Sequence, residues 1–186
     1  AARRDLLDRA AAETDALSAL VQQLVDAHRF EQGEVRPRPR PVRLRELVEG
    51  ERDRVSAVAE EHAVRIEVEG DADAEVDPEL MARAVGNLLG NAVRYAASTV
   101  RVEIRTGLLR ILDDGPGLPA PLDELARPFN DQPAPASGED YRAGAGGLGL
   151  YVARSILEAH GGRLVDEARG PGGTVLLAYL GRRETA

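Results

Sequence analysis

Residues 77–96, DPELMARAVGNLLGNAVRYA, decide the fold. Leu80, Ala84, Val85, Leu88, Leu89 and Ala92 recur at spacings of three and four, which marks a helix with one apolar face. Asp77 followed by Pro78 reads as an N-cap and a first-turn proline, so the helix opens there. Asparagine occurs three times in the 186 residues, and two of the three, Asn87 and Asn91, lie four apart in this stretch. Residues four apart share a helix face, so two scarce carboxamides point together. A neutral amide oxygen ligates a hard cation without adding negative charge, which suits a magnesium ion already loaded with phosphate oxygens. Two surface amides, or a pair capping a neighbouring loop, account for the same spacing.

On either side of this helix the pattern alternates between helix and strand. Residues 43–62 carry Leu44, Leu47, Val48, Val55, Val58 and Ala59 at helical spacing, and Val64, Ile66 and Val68 alternate as in a half-buried strand. Val100, Val102 and Ile104 alternate again, Thr106-Gly107 turns the chain, and residues 108–112 return as an adjacent strand. A short helix is expected around residues 121–126 and a longer one over 148–159, ending at Gly161-Gly162. Residues 163–167 and 174–180 form a final hairpin across Gly170-Pro171-Gly172-Gly173. Helices and antiparallel strands are thus mixed with no repeating strand-helix-strand unit. The class is α+β, a two-layer α/β sandwich with helices on one face of the sheet.

Composition closes several routes. All 24 basic residues are Arg and there is no Lys, which excludes a Walker A loop or a Schiff base. Cysteine is absent, so disulfides, thiolate metal sites and cysteine nucleophiles are excluded too. The net charge is −8 and the Arg residues are scattered among acids, so nucleic acid is not an expected partner. No apolar run approaches the ~20 residues needed to span a bilayer. Aromatic content is 3% with no Trp, so the core must be built from Leu, Val, Ile and Ala.

The N-terminal part differs in character. Leu7, Ala10, Thr14, Leu17, Val21, Leu24 and His28 alternate at three and four, and Leu6, Leu20 and Ala27 widen this to the stripe of a bundle or coiled-coil helix. Gly33 ends it. Prolines 37, 39 and 41 alternate with arginines 36, 38 and 40, giving an extended, semi-rigid linker. The expected division is a helix over 1–33, a linker over 34–42 and a folded domain over 43–186. His28 falls on the helix seam, His62 closes a helix and His160 ends the last one, so none of the three reads as a phosphate acceptor.

Two loops concentrate glycine where periodicity stops. Asp113-Asp114-Gly115-Pro116-Gly117-Leu118 follows a strand, and Gly144-Ala145-Gly146-Gly147-Leu148-Gly149-Leu150 runs into a helix. Each glycine costs roughly 0.5 to 1 kcal/mol relative to alanine where regular structure is wanted. Bare backbone N–H groups at a helix start hold phosphate, which offsets that cost; a hinge or plain turns are the other account. Asp113 ends an apolar strand, where a buried carboxylate needs donors. The exocyclic amine of adenine is one such donor, and Asp-Gly turn chemistry is the alternative use of Asp113 and Asp114.

Taken in order, these stretches resemble the catalytic and ATP-binding domain of bacterial sensor histidine kinases, within the ATPase group that includes Hsp90, DNA gyrase and MutL. RAVGNLLGNAVRYA from Arg83 is similar to the N box, DDGPGL from Asp113 to the first glycine box, Arg127-Pro128-Phe129 to part of the F box, and GGLGLYVARSILEAHGG from Gly146 to the second glycine box. The likeness covers roughly residues 43–180. LVDAHRFEQGE, ending the first helix, is similar to the second helix of the dimerisation and phosphoacceptor domain.

The resemblance implies a Bergerat-type fold that binds ATP and Mg2+. It implies Asn91 as magnesium ligand with Asn87 beside it, and Arg94 facing the phosphates where many members have Lys. Tyr95 packs near the base, Asp113 accepts from the adenine amine, and Gly115 and Gly117 let the chain turn under the ring. Gly147 and Gly149 contact phosphate through backbone, Leu148 and Leu150 shape the pocket, Thr174 reaches adenine through water, and Leu118 and Gly146 complete the ATP-binding set. It further implies a protein histidine kinase acting on a histidine absent from this sequence, a response regulator and the protein's own dimerisation domain as partners, and a homodimeric, membrane-anchored whole with this piece in the cytoplasm as a monomer or weak dimer. A serine kinase of the anti-sigma-factor type, or a non-catalytic ATP-binding regulatory module, is the alternative. Three positions depart from the family pattern. No His-Glu-x-x-x-Pro H box is present, and the resemblance implies that the region expected to hold it precedes residue 1; Asn130-Asp131 follow Phe129 where Arg is frequent; and Ala145 stands at a usual glycine.

Overall fold

The computed structural model describes residues 14, 18, 21, 24, 25, 27–128, 148–167 and 172–181. The N-terminal helix, α1, is helical at 14, 18, 21, 24, 25 and 27–31, and Gly33 beyond it has a φ of +65°. Leu6, Leu7, Ala10, Leu17 and Leu20 of the expected stripe lie outside the described residues. Then follow β1 (Arg40–Arg43), α2 (Leu44–Glu61), β2 (Arg65–Gly70), β3 (Asp73–Val76), α3 (Pro78–Tyr95), β4 (Thr99–Arg105) and β5 (Leu108–Asp113). The chain continues with α4 (Leu122–Leu125), α5 (Leu148–Ala159), β6 (Arg163–Asp166) and β7 (Thr174–Tyr179).

Five strands form one sheet in the order β2-β4-β5-β7-β6. On β4, Val100, Val102 and Ile104 are buried while Arg101, Glu103 and Arg105 face away. The inward set joins Leu109 and Ile111 of β5 and Leu176 and Ala178 of β7 in one core with Leu44 and Val48 of α2, Val85 and Leu89 of α3, and Val152 and Ile156 of α5. The outward set carries ion pairs instead: Arg101 with Glu67 at 3.2 Å, and Arg110 with Glu103 at 2.7 Å and Glu167 at 3.0 Å. Period-two alternation therefore produces two layers, an apolar side under helices and a charged side in water.

Three features differ from the sequence expectation. β2 pairs with β4 in parallel, Arg65 opposite Thr99 through Gly70 opposite Ile104, so the chain makes one strand-helix-strand crossover through α3. Alternation reports which face a residue takes and is blind to strand direction. Second, β3 is a four-residue strand too short to register as a period. Third, residues 40–42 of the segment read as linker belong to β1, which pairs antiparallel with β3, Arg40 opposite Val76 and Arg43 opposite Asp73. Successive N–H groups of an extended chain point to opposite edges. Prolines at 37, 39 and 41 therefore remove donors from one edge only and leave the N–H groups of Arg38, Arg40 and Val42 on the other.

Asp77 caps α3 as its sequence suggests. Its Oδ1 accepts from the N–H of Glu79 at 3.1 Å and of Leu80 at 3.2 Å, with Pro78 in the first turn. Burial works against its charge, but the N–H groups of Arg38, Leu80 and Glu79 outweigh it and hold the carboxyl below the usual range. Asp77→Ala is expected to cost about 1 to 2 kcal/mol of unfolding free energy in urea titration; an unchanged midpoint contradicts this role.

Candidate nucleotide site

α3, α5 and the ends of β5 and β7 meet at one end of the sheet. Asp113 closes β5, lies opposite Thr174 at the start of β7, and is 8% exposed. Its Oδ1 accepts from the N–H of Gly115 at 2.9 Å and of Thr174 at 3.3 Å. Among the described residues no donor is bonded to Oδ2. The carboxylate thus holds the turn after β5 through one oxygen.

The turn needs glycine for a steric reason. A Cβ on Gly115 would collide with the Tyr95 carbonyl oxygen and stand 2.9 Å from Asp113 Oδ1. The loop after β5 is therefore pressed directly onto the end of α3. Gly117 has a φ of +90°, in the region glycine favours, and Leu118 packs partly against the core. A Cβ on Gly173, φ +118°, would strike the Asp113 carbonyl oxygen, so β7 starts equally close to the same turn.

Asp114, one residue on, does structural work that the sequence did not separate from Asp113. Its Oδ1 accepts from the N–H groups of Ala97 and Ser98, both at 2.9 Å, and of Thr99 at 3.0 Å, while Oδ2 accepts from the Ser98 hydroxyl at 2.5 Å. The Ser98 hydroxyl, then the backbone donors, hold this carboxyl well below the usual range. It ties the connection from α3 to β4 against the loop that carries Gly115.

Asn87 and Asn91 are both half-buried on α3. A Cβ on Gly149 would stand 3.6 Å from Asn87 Oδ1, so that carboxamide lies against the first turn of α5. Leu148 is buried and Leu150 packs partly on the core. Arg94 is half-buried in the last turn of α3, and Tyr95 is 51% exposed beside it. Asp113, Gly115, Thr174 and the Tyr95 backbone are thus brought together at one side, and Asn87 and Gly149 at the other, with α3 joining them. Gly146, Gly147, Ala145, Phe129, Asn130 and Asp131 lie outside the described residues.

Glu51 on α2 was missed. It is 6% exposed, 3.1 Å from Arg54, and its Oε2 is 2.7 Å from where a Cβ on Gly86 would be, so a side chain at 86 would push the carboxylate aside. Burial pushes its carboxyl up, partly opposed by Arg54. A groove of about 610 Å3 runs from Glu51 and Arg54 past Glu79 and Arg83 to Asn87. The signal was present: Glu51 stands three residues after Val48 and four before Val55, in the apolar register of its helix.

Among the described residues no cluster of three or more His, Cys, Asp or Glu could hold a metal by itself. The donors near α3 are neutral amides, which fit a magnesium whose remaining ligands are phosphate oxygens.

Residues 76–183 match the family model described as histidine kinase-, DNA gyrase B- and HSP90-like ATPase. This chain belongs to that family. It is 34% identical over 177 residues to the sensor protein KdpD of Mycobacterium tuberculosis, covering 88% of this chain and 20% of the relative. It is 32% identical over 172 residues to the signal transduction histidine-protein kinase AfsQ2 of Streptomyces coelicolor, covering 90% of this chain and 31% of the relative. The chain thus spans a fifth to a third of these curated relatives. Its fold resembles the histidine kinase AdeS of Acinetobacter baumannii, with a TM-score of 0.72 at 20% identity over 96% of this chain and 84% of that one. A mycobacterial sensor histidine kinase, MprB, aligns at 25% identity and a TM-score of 0.59, over 78% of this chain and 99% of that one. No helix among the described residues is long and apolar enough to cross a membrane.

Two of the displaced carboxyls, Asp114 and Glu51, carry opposite pH signatures. Asp114, depressed in the fold, stabilises above the unfolded aspartate pKa of about 3.9 and loses that contribution as pH falls through its folded value. Glu51, raised in the fold, binds more protons folded than unfolded, so stability falls as pH rises from the ordinary glutamate value through its raised one. Glu51→Gln is expected to raise Tm at neutral pH and flatten that decline. Asp114→Asn is expected to lower Tm at neutral pH and flatten the loss in acid. Thermal melts across pH 2 to 8, read by circular dichroism, check both signs.

Proposed function

We propose that this chain binds ATP with Mg2+ between α3, the loop after β5 and the start of α5, and forms the phosphoryl-donating part of a sensor histidine kinase. The observation that carries the reading is Asp113: a buried carboxylate fixed through Oδ1 by two backbone donors, with Oδ2 left to accept from a base. An acceptor suits the exocyclic amine of adenine and repels the carbonyl that guanine presents at the same place. Gly115 and Gly117 let the ring lie against backbone, Tyr95 flanks it, and the Thr174 hydroxyl reaches it through water. Asn91 and Asn87 orient the metal and its water, and Arg94 faces the phosphates as a fixed cation. Gly146, Gly147 and Gly149 offer backbone N–H groups to phosphate, and Leu148 and Leu150 close the pocket walls. Bound magnesium neutralises charge on the phosphate oxygens; the protein's share is positioning and exclusion of water.

In the longer protein, residues 1–33 serve as the second helix of a dimerisation domain and 34–42 as a linker, its last three residues held in β1, to the ATP-binding domain over 43–186. Exposed Val21, Leu24 and Val25 on α1 support a helix that packs elsewhere in the assembly. The γ-phosphoryl goes to a histidine on that domain and then to a response regulator. The whole acts as a homodimeric sensor with this piece on the cytoplasmic side.

Calorimetry with Mg-ATP and Mg-GTP tests the site. ATP is expected to bind at least about tenfold more tightly than GTP, and Asp113→Asn to remove most of that preference, as for a hydrogen bond to a charged acceptor. Asn91→Ala is expected to abolish the gain in affinity that Mg2+ gives. No ATP binding, or variants that bind as the parent does, contradicts the proposal.

A further inference from the structure

Asp77 stands where three parts of the molecule meet. While Oδ1 caps α3, its Oδ2 accepts from the N–H of Arg38 at 2.9 Å. That bond continues the β1–β3 pairing beyond Arg40 opposite Val76, with a side-chain oxygen where the strand's own acceptors end. The Asp77 N–H donates to Nε2 of His160 at 3.0 Å. Nε2 must be bare to accept, so the ring proton lies on Nδ1, which donates to the Ile156 carbonyl at 2.7 Å. His160 is the residue after α5, and with Pro37, Pro39, Glu75 and Gly181 it lines a groove of about 330 Å3.

α5 therefore touches α3 at both of its own ends. At its start Gly149 lies against Asn87, midway along α3; just past its last residue, His160 is bonded to Asp77, the cap of α3. Helices are stiff, so a shift that accommodates ligand at the first contact is felt at the second, where the linker is also bound. We propose that Asp77, fixed by His160, is a joint that makes docking of the linker at Arg38 and occupancy of the nucleotide site one coupled equilibrium. His160 is a positioning residue that acts through Asp77. The inference rests on the nucleotide site proposed above, and linkage requires the coupling to be reciprocal.

The test uses the 186-residue chain and a non-hydrolysable ATP analogue with Mg2+, following amide hydrogen exchange by NMR. In the parent, nucleotide is expected to slow exchange at Arg38 by about fivefold. His160→Ala is expected to speed Arg38 exchange several-fold and remove its response to nucleotide, with amides of β4 and β5 still protected. His160→Gln, which restores an acceptor near the place of Nε2, is expected to recover the response. Arg38→Pro deletes the linker's donor without touching the core, and reciprocity predicts analogue affinity lower by the same factor. No analogue binding by the parent overturns the nucleotide reading and the coupling together. Binding with an unresponsive Arg38 amide, a parent-like response in His160→Ala, or unchanged affinity in Arg38→Pro overturns the coupling alone.

Discussion

The turn after β5 is pressed so closely onto the end of α3 that no side chain fits at residue 115. That contact fixes where the central strand ends relative to the helix that carries both amides, and Asp113 holds it from inside. A buried carboxylate left without donors costs several kcal/mol. Here the Gly115 and Thr174 N–H groups satisfy one oxygen, so desolvation is offset by the same bonds that set the loop. Asp114 secures the other side of the junction by gathering three backbone N–H groups from residues 97–99. Adjacent acids thus divide the labour, one facing the site and one binding the frame.

Function follows from what this junction leaves exposed. It offers one carboxylate oxygen and a helix face with neutral amides. A protein-only metal site is not assembled among the described residues, so a cation there must bring ligands with it. In the binding mode proposed above, a nucleotide triphosphate would supply those ligands, and its base a donor to the Asp113 oxygen that no described residue bonds.

Much of this was legible in the sequence. Asp77-Pro78 and the spacing through Leu80, Val85, Leu88 and Ala92 marked α3 and its start, because capping chemistry and helical period act locally. Val100, Val102 and Ile104 marked β4 for the same reason. The parallel pairing of β2 with β4 was not legible, since alternation is identical in both strand directions. β1 and β3 escaped because each is four residues long and one contains Pro41. Asp113 was singled out as the end of an apolar strand, but the separate role of Asp114 was not legible, because its partners at residues 97–99 lie some 15 residues back along the chain. Glu51 was hidden by its type, although its register put it in the core. His160 looked like the end of a helix because its partner, Asp77, lies 83 residues away.

The most direct test of the central claim is a crystal structure of this chain with Mg2+ and a non-hydrolysable ATP analogue. The account predicts the adenine amine within hydrogen-bond distance of Asp113 Oδ2, the ring over Gly115 and Gly117, and Asn91 on the metal. Nucleotide bound elsewhere, or an adenine amine that faces away from Asp113, contradicts it.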